Sequence, residues 1–139
     1  MMSELQIEIV SAEGHIHAGS ATMVFAPAEM GEVGITPGHA PLLTRLKPGA
    51  VRVKTTSGEE LPFFVGGGLL EVQPKRVTVM ADTALRAKDA DEAAAAAAKQ
   101  AAEDALSNAA SDIDVARAQA ELVEAAARLH FVQNLKKTR

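Results

Sequence analysis

Several residues of this 139-residue chain have types and spacings that could do chemistry. His15-x-His17 reads as part of a strand, where alternation puts both imidazoles on one face at metal-ligand spacing. No cysteine or neighbouring carboxylate pattern completes a site, so the pair is assigned to a polar strand face and no metal is expected. His39 sits in Ile35-Thr36-Pro37-Gly38-His39-Ala40-Pro41, whose prolines set the backbone path. A general base needs a nucleophile, and no serine here has a Gly-x-Ser-x-Gly context, so His39 is read as a structural or interface residue. Gly66-Gly67-Gly68 is neither a dinucleotide fingerprint nor a Walker loop, because no Lys-Ser/Thr follows; it reads as a bulge or a close approach of backbones. Glu59-Glu60 reads as a solvated hairpin tip, and Lys136, Lys137 and Arg139 complement a helix C-terminus. No catalytic residue emerges, which points to a binding or regulatory subunit and not an enzyme.

The composition bounds the rest. At 47% apolar and 23% charged the chain is globular, and its length suits one ordinary domain or two small ones. Zero cysteines exclude disulfides, Cys-ligated zinc, iron–sulfur clusters and thiol nucleophiles. A net charge of −4, with four Phe and no Trp or Tyr, argues against a nucleic-acid surface. No run reaches the roughly 18 apolar residues of a membrane span, and Met1-Met2-Ser3-Glu4 has no secretory n-region, so a soluble cytoplasmic protein is expected.

The elements that must position these residues fall into two halves. All ten glycines lie between Gly14 and Gly68 and all six prolines between Pro27 and Pro74, so the architecture changes near residues 84–88. In the first half, short alternating runs recur at sandwich spacing. They cover residues 5–9, 15–18, 21–26, 32–36, 50–55, 61–65, 69–73 and 76–81, giving eight to ten short antiparallel strands in two packed sheets. Ser57-Gly58 and Pro74-Lys75 read as turns, and Pro62 places its strand at an edge or starts it late.

The second half reads as two helices, 89–106 and 112–136, about 27 Å and 37 Å long at 1.5 Å per residue. Asp89 with Glu92 resembles a capping box, Ser111 or Asp112 can cap the second helix, and a break at 107–110 makes an antiparallel hairpin. Helix two carries two apolar stripes, one through Val115, Ala118, Leu122, Ala125, Leu129 and Val132, the other through Ile113, Ala116, Ala120, Val123 and Ala127, so burial on two sides is expected. Helix one offers Ala94, Ala97, Ala98, Ala101 and Ala105, each contributing about 0.8 kcal/mol where Leu would give about 1.5–3. Strong helicity with weak docking predicts a mobile element hinged at 107–110.

Gly31-Glu32-Val33-Gly34-Ile35-Thr36-Pro37-Gly38-His39-Ala40-Pro41-Leu42-Leu43-Thr44, then Leu46-Lys47-Pro48-Gly49, resembles the signature stretch of the epsilon subunits of bacterial F-type ATP synthases. Val10-Ser11-Ala12-Glu13, Gly67-Gly68-Leu69-Leu70-Glu71-Val72 and Val77-Thr78-Val79-Met80-Ala81-Asp82-Thr83-Ala84 extend the match over essentially the whole chain. The resemblance implies an α+β chain with a ten-stranded antiparallel β-sandwich (1–86) and a C-terminal two-helix hairpin (87–139). It implies a peripheral, non-catalytic central-stalk subunit on the cytoplasmic face of the bacterial inner membrane. Its partners would be the gamma subunit, the ring of c subunits and, with the hairpin extended, the alpha and beta subunits.

By that resemblance the loop with Glu32 and His39 faces the c ring, and the extended hairpin blocks ATP hydrolysis. Arg128, Lys136, Lys137 and Arg139 would then meet an acidic segment of beta. The family's ATP motif, Ile/Leu-Asp-x-x-Arg-Ala at the start of helix one, is degraded here to Ala90-Asp91-Glu92-Ala93-Ala94-Ala95. A literal match, Ile113-Asp114-Val115-Ala116-Arg117-Ala118, lies instead on helix two. Asp91 and Arg117 are thus the nucleotide-site candidates, with ATP a regulatory ligand and no other cofactor implied. Two other readings stand beside this one: a free-standing ligand-binding sandwich with a helical appendage, which wants an aromatic-lined pocket, and a hydrolase pairing His39 with Glu32.

Overall fold

The structure, a computed structural model, describes residues 3–137. The chain forms two compact units, Met1–Ala87 and Lys88–Arg139.

The first unit is built from seven strands: β1 (Leu5–Ser11), β2 (Gly14–Ala28), β3 (Gly31–Ile35), β4 (Leu42–Thr55), β5 (Glu60–Gln73), β6 (Arg76–Ala81) and β7 (Ala84–Arg86). The hydrogen-bonded order is β1-β6-β5-β4-β2-β3, and β1 also pairs with β2, so five strands close into a ring. β3 extends from β2 as an edge strand and β7 pairs with β5. The alternation that predicted strands holds along β1, where Leu5, Ile7 and Ile9 are buried and Gln6 is exposed. With Val24, Val51, Val53, Val65, Leu70, Val72, Val77 and Val79 they form one aliphatic core, each side chain contributing about 1.5–3 kcal/mol of transfer free energy.

Three details correct the sequence reading. The described residues form seven strands, not ten, because runs read as separate are halves of long bent strands: 15–18 and 21–26 lie in β2, 61–65 and 69–73 in β5. Bulges bend a ladder without ending it. In β2 the register against β4 shifts between Ala21 and Met23 and again between Phe25 and Ala28, beside Pro27. Second, Pro48-Gly49 does not precede β4 but lies inside it, opposite Gly66 and Val65. Third, the sheet is not wholly antiparallel, since β1 runs parallel to β6 from Gln6↔Arg76 to Ser11↔Ala81.

The glycine triplet is a close backbone approach. At Gly68, φ is +138° and a Cβ would overlap the Met80 carbonyl and the Ala81 Cα of β6. Pro62 lies where β5 is paired to β4 alone, because β7 begins its pairing at Phe63. A proline there removes no ladder bond on the open side. Ser57-Gly58 and Pro74-Lys75 turn β4 into β5 and β5 into β6.

The second unit is a hairpin of α1 (Glu92–Ser107) and α2 (Asp112–Lys137). The N-cap of α1 is Asp91, not Asp89: the Asp91 Oδ1 accepts from the Ala94 N–H at 3.2 Å, while Asp89 belongs to a preceding 3-10 turn, Ala87–Asp89. Ser111 caps α2, its Oγ accepting from the Asp114 N–H at 3.1 Å. The buried residues are Ala95 and Ala102 on α1, and Ala118, Ala125, Phe131 and Val132 on α2. Spacings of seven are those of a narrow heptad seam. The expected first stripe of α2 holds Ala118, Ala125 and Val132, whereas the buried Phe131 lies on neither stripe; the second stripe remains open at Ile113 and Val123, 73% and 59% exposed. On α1 the expected face is off by one position, since Ala94, Ala97, Ala101 and Ala105 are exposed.

Candidate subunit-docking surfaces

Glu32 stands on β3, not in a loop, and only His39 lies in the connection from β3 to β4. Its strand is an edge of five residues paired to β2 alone. The ladder places Gly34 opposite Phe25, and Phe25 opposite Arg52 of β4. Gly34 leaves the Phe25 ring uncovered, for a Cβ there would lie 3.0 Å from Met23 Cε and 3.4 Å from the ring. The Arg52 guanidinium lies over that ring, 4.2 Å from its centroid. One of its nitrogens donates to both oxygens of Glu32, at 3.2 and 3.3 Å, and another donates to Glu60 at 3.1 Å. Partial burial disfavours the charge on Arg52, but the hydrogen bonds to Glu60 and Glu32 outweigh it and raise its pKa. Glu60 is therefore more than a solvated hairpin tip.

His39 is held by the backbone. Its N–H donates to Thr36 O at 3.1 Å, its Nδ1 lies 2.7 Å from Ala40 O, and the Gly38 N–H donates to Pro74 O at 2.7 Å. Since a carbonyl can only accept, Nδ1 is the donor in that contact. Glu32 and His39 are thus each committed to other partners and do not form an acid/base pair. A groove of about 520 Å³ runs beside this loop, lined by residues including Glu4, Gln6, Pro37, Gly38, Pro74 and Lys75, with no aromatic ring.

A second surface lies on the outward faces of β4, β5, β6 and β1. Leu69 pairs with Met80, Met80 pairs with Val10, and Leu43 lies diagonally across from Leu69. Leu43 is 66%, Leu69 41% and Met80 38% exposed, with Arg45 and Glu71 at the paired positions beside them. Such a contiguous apolar patch with a polar rim marks a protein-binding face. The sequence reading missed it, although the signal was there: Leu42-Leu43, Leu69-Leu70 and Val79-Met80 are apolar pairs that break alternation. One member of each pair must face outward.

At the base of β2, His15 Nε2 lies 3.4 Å from Glu8 Oε2, and the His17 ring packs 5.0 Å from Phe63. Burial, then the charges of His15 and Arg86, lower the His17 pKa. Arg86 donates to the carbonyls of Ile16 at 3.0 Å and His15 at 3.2 Å, fastening β7 to β2. His15 and His17 thus serve strand packing, and the described residues include no group of three or more metal-ligating side chains.

In the hairpin, Asp91 and Arg117 are not brought together. Asp91 caps the far end of α1 and Arg117 lies early in α2, roughly 16 Å apart along the axis at 1.5 Å per residue. Arg128 Nε is buried without a hydrogen-bond partner among the described residues. The side chains of Lys136 and Lys137, and all of Arg139, lie outside the described residues.

Residues 4–87 match the family described as ATP synthase, Delta/Epsilon chain, beta-sandwich domain, and residues 83–133 match its long alpha-helix domain. An ATP synthase epsilon chain of Nitrosococcus oceani is 59% identical over 99% of this chain and 98% of its own length. One of Alkalilimnicola ehrlichii is 56% identical over 98% and 97%. Among solved structures, a chain of the Euglena gracilis mitochondrial ATP synthase (OSCP/F1/c-ring) aligns with a TM-score of 0.77 at 17% identity, over 90% of this chain and 79% of that one. A chain of the Tetrahymena thermophila mitochondrial ATP synthase (central stalk/c-ring) aligns with 0.61 at 15% identity, over 94% and 95%. At those identities the likeness is one of fold. With both family domains present in order and full-length relatives at this identity, the chain belongs to the ATP synthase delta/epsilon family, among its bacterial epsilon chains.

Proposed function

We propose that this chain is a non-catalytic subunit of the F-type ATP synthase central stalk, in which the sandwich docks the subunit and the hairpin regulates the motor. The observation that carries the docking role is the outward apolar patch of Leu43, Leu69, Met80 and Val10, which a stable free protein has no use for. Its partner is the gamma subunit. The edge strand with Glu32 and the connection with His39 meet the c ring, so that ring rotation is passed to the stalk. Among the described residues no helix is long and apolar enough to cross a membrane, and the subunit reaches the cytoplasmic face of the inner membrane through the ring.

The regulatory role rests on the hairpin, whose alanine seam gives little side-chain burial per turn. Released and extended, α2 inhibits ATP hydrolysis by meeting alpha and beta, with Arg128, Lys136, Lys137 and Arg139 supplying positive charge toward an acidic segment of beta. ATP binding to the folded hairpin stays a proposal of its own. It would need a site other than Asp91 with Arg117, since the cap engages one and the hairpin separates the other.

Reconstitution with an epsilon-depleted bacterial F-type ATPase tests both roles. Leu69→Glu, on the exposed face, is expected to fold and to lose assembly with gamma, while truncation after Lys88 keeps assembly and loses inhibition. Assembly unaffected by Leu69→Glu sinks the docking assignment; inhibition that survives truncation sinks the regulatory one.

A further inference from the structure

We infer that Arg52 is a positioning residue that presets the Glu32 carboxylate on the edge strand for the ring contact. This rests on the reading, given above, that Glu32 meets the ring.

Edge strand β3 has backbone partners on one side only, and Glu32 lies opposite Pro27, where β2 bulges away from its register with β4. Nothing in the local backbone fixes an exposed glutamate there, and a free glutamate side chain has rotamer entropy to lose on contact. Arg52 removes that freedom beforehand. It springs from β4, two strands away, and Phe25 of the intervening β2 supports its guanidinium from below. Its fork then reaches Glu32 on β3 and Glu60 on β5, so one side chain ties positions from four strands. A guanidinium suits this task because its planar donors point in fixed directions while its face stacks on a ring.

The geometry also sets what the edge offers a partner. Glu32 is compensated by Arg52, which shares its charge with Glu60, so the triad carries one net negative charge across three half-buried or exposed groups. Such a surface suits a partner that offers hydrogen-bond donors, and its net negative charge favours a donor that is itself positively charged.

The test uses the full chain, first alone and then in ATP synthase reassembled in vesicles. In the free chain, Arg52→Gln is expected to average the two γ-methylene proton signals of Glu32 while the backbone amide signals of β2 and β3 stay in place. An ion pair of this exposure shifts the population of the preset Glu32 orientation by about two- to fivefold, and in the enzyme its loss is expected to lower ATP-driven proton uptake. Arg52→Lys, which keeps the charge without the fork, should fall between the two, and it stands in if Arg52→Gln does not fold. Glu32→Gln should match the loss, and Arg52→Gln added to Glu32→Gln should cost nothing further. Additive losses, or γ-methylene signals that stay distinct without Arg52, overturn the positioning role. Unchanged coupling in Glu32→Gln overturns instead the ring contact on which it rests.

Discussion

The two units solve the problem of burial with opposite materials. In the sandwich, branched side chains from β1, β2, β4, β5 and β6 fill one interior, and the ring of strands leaves few free backbone groups. In the hairpin, the seam of α1 consists of Ala95 and Ala102, which bury a methyl group apiece. Backbones approach closely there, but the area removed from water per turn is small. One unit is specified by packing and the other by helix propensity, so tertiary contacts can change in the second while its helices persist. An anchor and a movable arm need that division.

Replacing Leu70, fully buried on β5, by alanine should give the largest effect, a loss of about 2–5 kcal/mol in urea unfolding followed on sandwich amides. A loss below 1 kcal/mol would mean that the core packs no better than the hairpin. Ala102→Leu should push α1 and α2 apart, costing about 1–3 kcal/mol in the exchange protection of α2 and leaving the sandwich untouched. Tighter protection would instead show spare room in the seam. Arg128→Met removes a buried donor without a partner, and should stabilise the folded hairpin by about 1 kcal/mol, seen as slower exchange and weaker ATPase inhibition. Faster exchange would show that the guanidinium contributes to the fold.

The smallest effect is a pH dependence confined to the sandwich. His17 has a lowered folded pKa, so the unfolded chain binds the proton more readily; its contribution to stability is whole above the unfolded value near 6.5 and is lost as pH falls through the folded one. Thermal midpoints should fall on acidification below about pH 6.5. His17→Gln should flatten that fall, and an unchanged slope would assign it elsewhere.

Side-chain alternation made β1, β3 and β6 legible in the sequence, and the turns at Ser57-Gly58 and Pro74-Lys75 were equally clear. The glycine triplet was legible as a bulge or close approach, but the continuation of the strand through it was not. Gly66-Gly67-Gly68 bends β5 without ending it, and Pro48-Gly49 bends β4 in the same way, because the ladder on the partner strand continues past the bend. The parallel pairing of β1 with β6 joins segments some seventy residues apart and leaves no local mark. On α1 the reason differs: six consecutive alanines, Ala93 to Ala98, give no contrast between faces, so periodicity could not choose the seam. Glu32 and His39 stood out by their setting, but Arg52 did not, for its partners lie 20 and 8 residues away on other strands.

The closed circuit β1-β2-β4-β5-β6 has a mechanical consequence. A tube slit along its length twists easily, because the cut edges slide past each other, whereas an uncut tube resists torsion around its whole wall. The parallel seam between β1 and β6, together with the β1–β2 pairing, is what leaves this wall uncut. A body so closed turns as one piece when force is applied at one rim and taken off at another.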